Sequence, residues 1–105
     1  MSEPTDLSVA RTVVDELIRL AAMEVPGVVR VDRARRRWLG LFGGRSVVCR
    51  IDGRRVSARL SIVARPGHEL VPLTRQVRAA VAAAIERLVD LEVGDIVVIV
   101  DGVGA

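Results

Sequence analysis

Catalytic chemistry in this chain would rest on very few side chains. His68 is the lone histidine and Cys49 the lone cysteine among 105 residues. A catalytic triad needs a nucleophile, a base and an orienting acid. His68 lies in a Pro66-Gly67-His68-Glu69 turn, and the sequence holds no Gly-x-Ser-x-Gly elbow, so His68 reads as a surface turn residue. Cys49 alternates with Val47 and Ile51 on an apolar face, which suits a small buried hydrophobe better than a reactive thiol. A single cysteine cannot form an internal disulfide, in keeping with a reducing compartment. One Cys and one His do not build a typical transition-metal site. Glu92 and Asp95, flanking a turn, would hold a divalent cation poorly. No catalytic residue, cofactor or metal ligand is therefore expected, and the chain reads as a protein that is not an enzyme.

Binding chemistry is more promising. All sixteen basic residues are arginine, against thirteen acids. Residues 30–59 hold ten of those arginines against only Asp32 and Asp52, while the rest of the chain is net acidic. So local a positive charge attracts phosphate, nucleic acid, an anionic lipid surface or an acidic protein. Arg33, Arg35, Arg36, Arg37 and Arg45 enclose both aromatics, Trp38 and Phe42, together with Leu41. These eight residues form the candidate membrane or partner contact, because a cation at an anionic bilayer surface contributes about 1 kcal/mol and adjacent apolar groups can insert. The competing reading is that Trp38 and Phe42 fold back to close one end of the core, leaving the arginines solvated. Gly40-Leu41-Phe42-Gly43 also matches the Gly-x-x-Gly pattern of KH domains, which makes single-stranded RNA binding the alternative. That loop joins two helices in KH domains but lies between strand-like segments here. With no aromatic stacking platform on the strands, nucleic acid is not the expected partner.

The elements that would hold this basic segment follow from periodicity. Ser8 can cap a helix running to about Glu24, with Val9, Val13, Val14, Leu17, Ile18, Leu20 and Ala21 on its apolar side and Arg11, Asp15 and Arg19 spaced to pair outside. Val25-Pro26-Gly27 ends it, and Val28, Val29 and Val31 begin a short strand. Ser46–Ile51 and Arg54–Arg65 read as a hairpin around Asp52-Gly53. Val56, Ala58, Leu60, Ile62 and Ala64 should face the core, with Arg55, Ser57, Arg59 and Ser61 on a wet face. Leu73, Val77, Val81, Ala84 and Leu88 mark a second helix to about Val89. The last strand, Asp95–Val100, is apolar on both faces from Ile96 and reads as central or doubly covered. An edge position would let it pair with another chain.

The expected fold is thus α/β (α+β): a two-layer sandwich, helix-strand-strand-strand-helix-strand, with a small mixed sheet covered by two helices on one face. Residues 1–105 are expected to form one domain, with 1–6 a flexible lead-in and 33–45 a basic loop. The longest apolar run, Ala79–Ile85, is far short of the roughly 20 residues of a membrane span. The first residues resemble no secretory signal, so a cytoplasmic location is expected.

Residues 6–28, DLSVARTVVDELIRLAAMEVPGV, resemble the opening of the bacterial alkaline shock protein (Gls-type general stress) family of envelope stress response proteins. There an amphipathic helix with paired alanines runs into a Glu-Val-x-Gly-Val turn. The helix around Val77–Leu88, Leu91-Glu92-Val93 and the ending Val100-Asp101-Gly102-Val103 are similar too. The chain departs from the family at Ala64-Arg65-Pro66-Gly67-His68, where members often carry a Tyr-Gly turn, and in the arginine-rich loop. The resemblance implies a non-enzymatic, self-associating cytoplasmic scaffold or adaptor with no cofactor. It would gather at the inner face of the cell membrane on a small membrane anchor protein and contribute to envelope stress tolerance.

Overall fold

The computed structural model describes residues 3–31 and 46–104. Helix α1 spans Glu3–Met23, starting five residues before Ser8. Pro4 in the first turn costs no hydrogen bond. Val14, Ile18 and Ala22, four residues apart, are the buried stripe of its second half, while Val13 and Leu20 stay exposed. Arg19 forms its ion pair with Glu16, three residues away, and Asp15 is half-buried. Arg19 donates to Glu16 and holds its carboxyl below the usual range; both side chains are exposed. A lowered carboxylate pKa supports the fold above the unfolded value and ceases to do so as pH falls through the folded one.

After the turn at Pro26-Gly27 come β1 (Val28–Val31), β2 (Val47–Asp52) and β3 (Arg55–Ala64). Asp52 pairs with Arg55, so the two loop residues are Gly53-Arg54 rather than Asp52-Gly53. Gly53 has φ +63°, as the first loop position of a II′ turn requires. β3 is the centre of the sheet. On one edge β1 pairs antiparallel with its end (Val28 opposite Ala64) and β2 with the remainder (Val47 opposite Leu60). Helix α2 (Leu70–Ala84) then carries the chain back, so that β4 (Glu92–Val103) runs parallel along the other edge of β3.

Both helices pack on one face of this mixed sheet. The core joins Val14, Ile18 and Ala22 of α1, Leu73, Val77 and Val81 of α2, and Val56, Ala58, Leu60, Ile62 and Ala64 of β3. Val47 and Cys49 complete it from β2, with Ile51 half-buried beside them. The described core is thus aliphatic, as the two-aromatic composition requires. At the end of α2 a π-helical turn, Ile85–Val89, continues the four-residue spacing inward through Ile85. Ala84 is consequently only half-buried, and Leu88, expected inside, is 67% exposed. Asp90 ends the turn in the left-handed region at φ 54°.

Two expectations about the sheet need correction. β4 is neither central nor doubly covered: among the described residues its strand partner is β3 alone. It buries Ile96 and exposes Val97 and Val103, so its two-sided apolarity does not mark a sheet centre. The face of β3 turned away from the helices is exposed at Arg55 and Arg59 and half-buried at Ser57, but Ser61 and Val63 are buried. Ser61 Oγ has no hydrogen-bond partner among the described residues. A buried hydroxyl without a partner forfeits its hydration. Ser61→Ala should therefore leave stability unchanged or raise it by about 1 kcal/mol, as read by urea unfolding; a loss above about 2 kcal/mol would reveal a bond to that oxygen.

Candidate partner-binding face

The eight residues singled out as a contact, Arg33, Arg35, Arg36, Arg37, Trp38, Leu41, Phe42 and Arg45, lie outside the described residues, as does Gly40 to Gly43. The segment that holds them connects β1 to β2, two strands on the same edge of β3.

The described arginines of the basic region divide by their surroundings. Arg54, in the hairpin turn, donates to the Asp90 carbonyl at 2.8 Å and lies 3.8 Å from its carboxylate. Its own carbonyl accepts from Glu92 N at 2.7 Å, so it ties the end of α2 and the start of β4 to the turn. Arg65 donates through Nε to the Pro26 carbonyl at 2.9 Å, and its backbone N–H reaches the Gly27 carbonyl at 2.8 Å. Both are structural clamps. Arg50, Arg55 and Arg59 differ: each is exposed on the sheet face opposite the helices, and none has a carboxylate within ion-pairing distance among the described residues.

Register gathers these three. Arg50 of β2 pairs with Ser57 of β3, and Val48 with Arg59. On the other side Val97 of β4 is level with Arg59 and Glu92 with Arg55. The result is an open groove of about 600 Å³ lined by Val48, Arg50, Asp52, Arg55, Ser57, Arg59, Asp95 and Val97. Gly94 of β4 passes close to Ser57 and Arg55. A Cβ there would come within 2.5 Å of Ser57 Oγ and 3.0 Å of Arg55 Nε. Arg59 therefore stands between two valines and Arg55 between Asp52 and Glu92. The sequence pattern had placed Arg55 and Arg59 on a wet face. What it lacked was the cross-strand register that adds Arg50 and the two valines.

The other candidates do not converge. Cys49 is buried, with its thiol 3.7 Å from the Arg11 carbonyl of α1. His68 is exposed in the β3–α2 connection, its ring over Gly27. Among the described residues no three His, Cys, Asp or Glu side chains come together in a way that could hold a metal ion. No described helix is long and apolar enough to cross a membrane.

Comparison with known proteins bears on both fold and family. Two solved variants of the MamM CTD superpose with a TM-score of 0.63 and 22% identity, covering 87% of this chain and 93% and 94% of theirs. A manganese form of a MamM CTD variant gives 0.62 and 23%, covering 87% of this chain and 96% of its own. At that identity the likeness establishes a shared fold and carries no function with it. No curated protein matches the chain. A family model matches residues 2–105, nearly every position, and bears out the resemblance carried by the α1–Val28 and β4 segments. The chain belongs to the alkaline shock protein 23 family, whose members have a cell envelope-related function.

Proposed function

We propose that this chain is a single-domain, non-enzymatic scaffold or adaptor of the envelope stress response. It works on the cytoplasmic side of the membrane, gathered there by a small membrane anchor protein and associating with further copies of itself. The observation that carries the reading is the division of the sheet among the described residues: one face is sealed by two helices over an aliphatic core, while half of the other presents three exposed arginines with no carboxylate partner among those residues. Such a surface has recognition chemistry and no reaction chemistry. Family membership supplies the envelope context.

In this proposal the basic segment Arg33 to Arg45 aids recruitment by contacting anionic lipid. The test is co-sedimentation with phosphatidylcholine vesicles, with and without phosphatidylglycerol, for the wild type and a variant carrying Arg35→Ser, Arg36→Ser and Arg37→Ser. Removing three cations, each contributing about 1 kcal/mol near an anionic surface, should weaken binding to the anionic vesicles by about 100-fold. Equal binding of the two proteins defeats the lipid contact.

A further inference from the structure

We propose that the open groove around Arg50, Ser57 and Arg59 is a docking site for an acidic, extended segment of a partner protein. The inference rests on the adaptor reading and assigns it a surface and a ligand chemistry.

Arg50 is directly opposite Ser57, and Arg59 is two residues further along the same strand. Arg50 and Arg59 are thus diagonal neighbours, about 7–8 Å apart at their backbones. Both side chains are exposed, on the same face, and neither has a carboxylate partner among the described residues. Two guanidinium groups at that spacing reach a common carboxylate, each offering a planar fork of donors, with the Ser57 hydroxyl between them as a neutral donor. An incoming carboxylate also relieves the repulsion between the two cations.

The remaining lining selects among anions. Asp52 and Asp95 border the groove, and Glu92 stands level with Arg55. Three arginines therefore face three carboxylates across this part of the sheet. A bilayer or a nucleic acid backbone presents continuous negative charge and would meet the carboxylates along with the arginines, so its net attraction is small. A polypeptide presents discrete charges and can set one acid at Arg50 and Arg59 while avoiding Asp52 and Asp95. Val48 and Val97, on either side of Arg59, offer apolar contact that a free phosphate could not use. Alternate residues of an extended chain share one face. The fitting segment is accordingly acid-x-apolar, repeated at spacing two.

The test uses the intact chain and the peptide acetyl-Asp-Ser-Val-Ser-Asp-amide, followed by backbone amide NMR. Saturable shifts are expected at Ser57, Arg59 and Val97, weakening with salt. Arg50→Ser with Arg59→Ser should weaken binding about tenfold, whereas Arg75→Ser with Arg78→Ser, exposed on α2, should not. An unchanged amide spectrum for the core residues confirms that each variant is folded. The proposal is overturned if the Asn-for-Asp peptide binds equally well, or if the Arg50/Arg59 variant retains wild-type affinity. It is also overturned if the two substitutions instead abolish binding to phosphatidylglycerol vesicles or dissociate a wild-type oligomer. A fluorescent fusion imaged in cells separates the two levels. Wild-type protein at the envelope with no peptide binding overturns the groove alone; diffuse protein with intact peptide binding overturns the adaptor reading and leaves the groove standing.

Discussion

Leu60→Ala should lower unfolding stability by about 2–5 kcal/mol, the cost of emptying a close-packed core position. Leu60 is fully buried at the middle of the central strand, level with Val47 of β2 and Val98 of β4. Neighbouring side chains are held by strand pairing on both sides and by two helices above, so the cavity cannot collapse easily. A core this aliphatic has no large flexible ring nearby to swing into the space among the described residues. For a domain of this size each kcal/mol lowers the melting temperature by about 4–8 °C, and total stability is about 5–15 kcal/mol. The substitution thus removes a large fraction of the total, visible in urea or thermal unfolding. Val97→Ala on the opposite face, 43% exposed, is the comparison and should change stability by less than about 0.5 kcal/mol. A similar loss at both positions would mean that the sheet buries its two faces alike.

That contrast between faces was legible at β3 because period two is a local property: Val56 to Ala64 are all buried on the helix side as their alternation required. The helices were legible for the same reason, through the spacing of Leu73, Val77 and Val81. Where local pattern failed, a non-local or backbone effect decided. Leu88 fits the periodicity of a continuing α-helix, but the π turn gives the inward place to Ile85. Ile96 to Val100 has the composition of a central strand, yet strand order is a property of the whole sheet and puts β4 at its edge. Ser61 belongs to the wet alternation of Arg55, Ser57 and Arg59 but is buried, which period two cannot convey. The groove is the extreme case. Each of Arg50, Ser57 and Arg59 reads alone as a solvated strand residue, and only the antiparallel register makes them neighbours.

The family-like turn at Glu24 to Val28 has a physical reason in close packing, and it leads to the second large effect. Gly27→Val should destabilise the protein by about 1–3 kcal/mol, the usual range for overpacking a filled site. Gly27 is buried between the end of α1 and β1, and its φ is not in the left-handed region, so backbone freedom does not explain the glycine. Space does. A Cβ at this position would stand 2.7 Å from Leu73 Cδ1 and 2.9 Å from His68 Nδ1. Leu73 begins the buried stripe of α2 and cannot retreat without opening the core. The turn cannot retreat either, because the Pro26 and Gly27 carbonyls are held by Arg65. His68, exposed at the opposite side of the contact, is the group free to yield. Gly27→Ala combined with His68→Ala should therefore recover part of the loss seen with Gly27→Ala alone, a coupling measurable by a double-mutant cycle in urea. Gly102→Ala is the control: a Cβ there meets nothing within 4 Å and its stability should match or exceed the wild type. Additive losses at 27 and 68 would show that Leu73 alone sets the requirement for glycine.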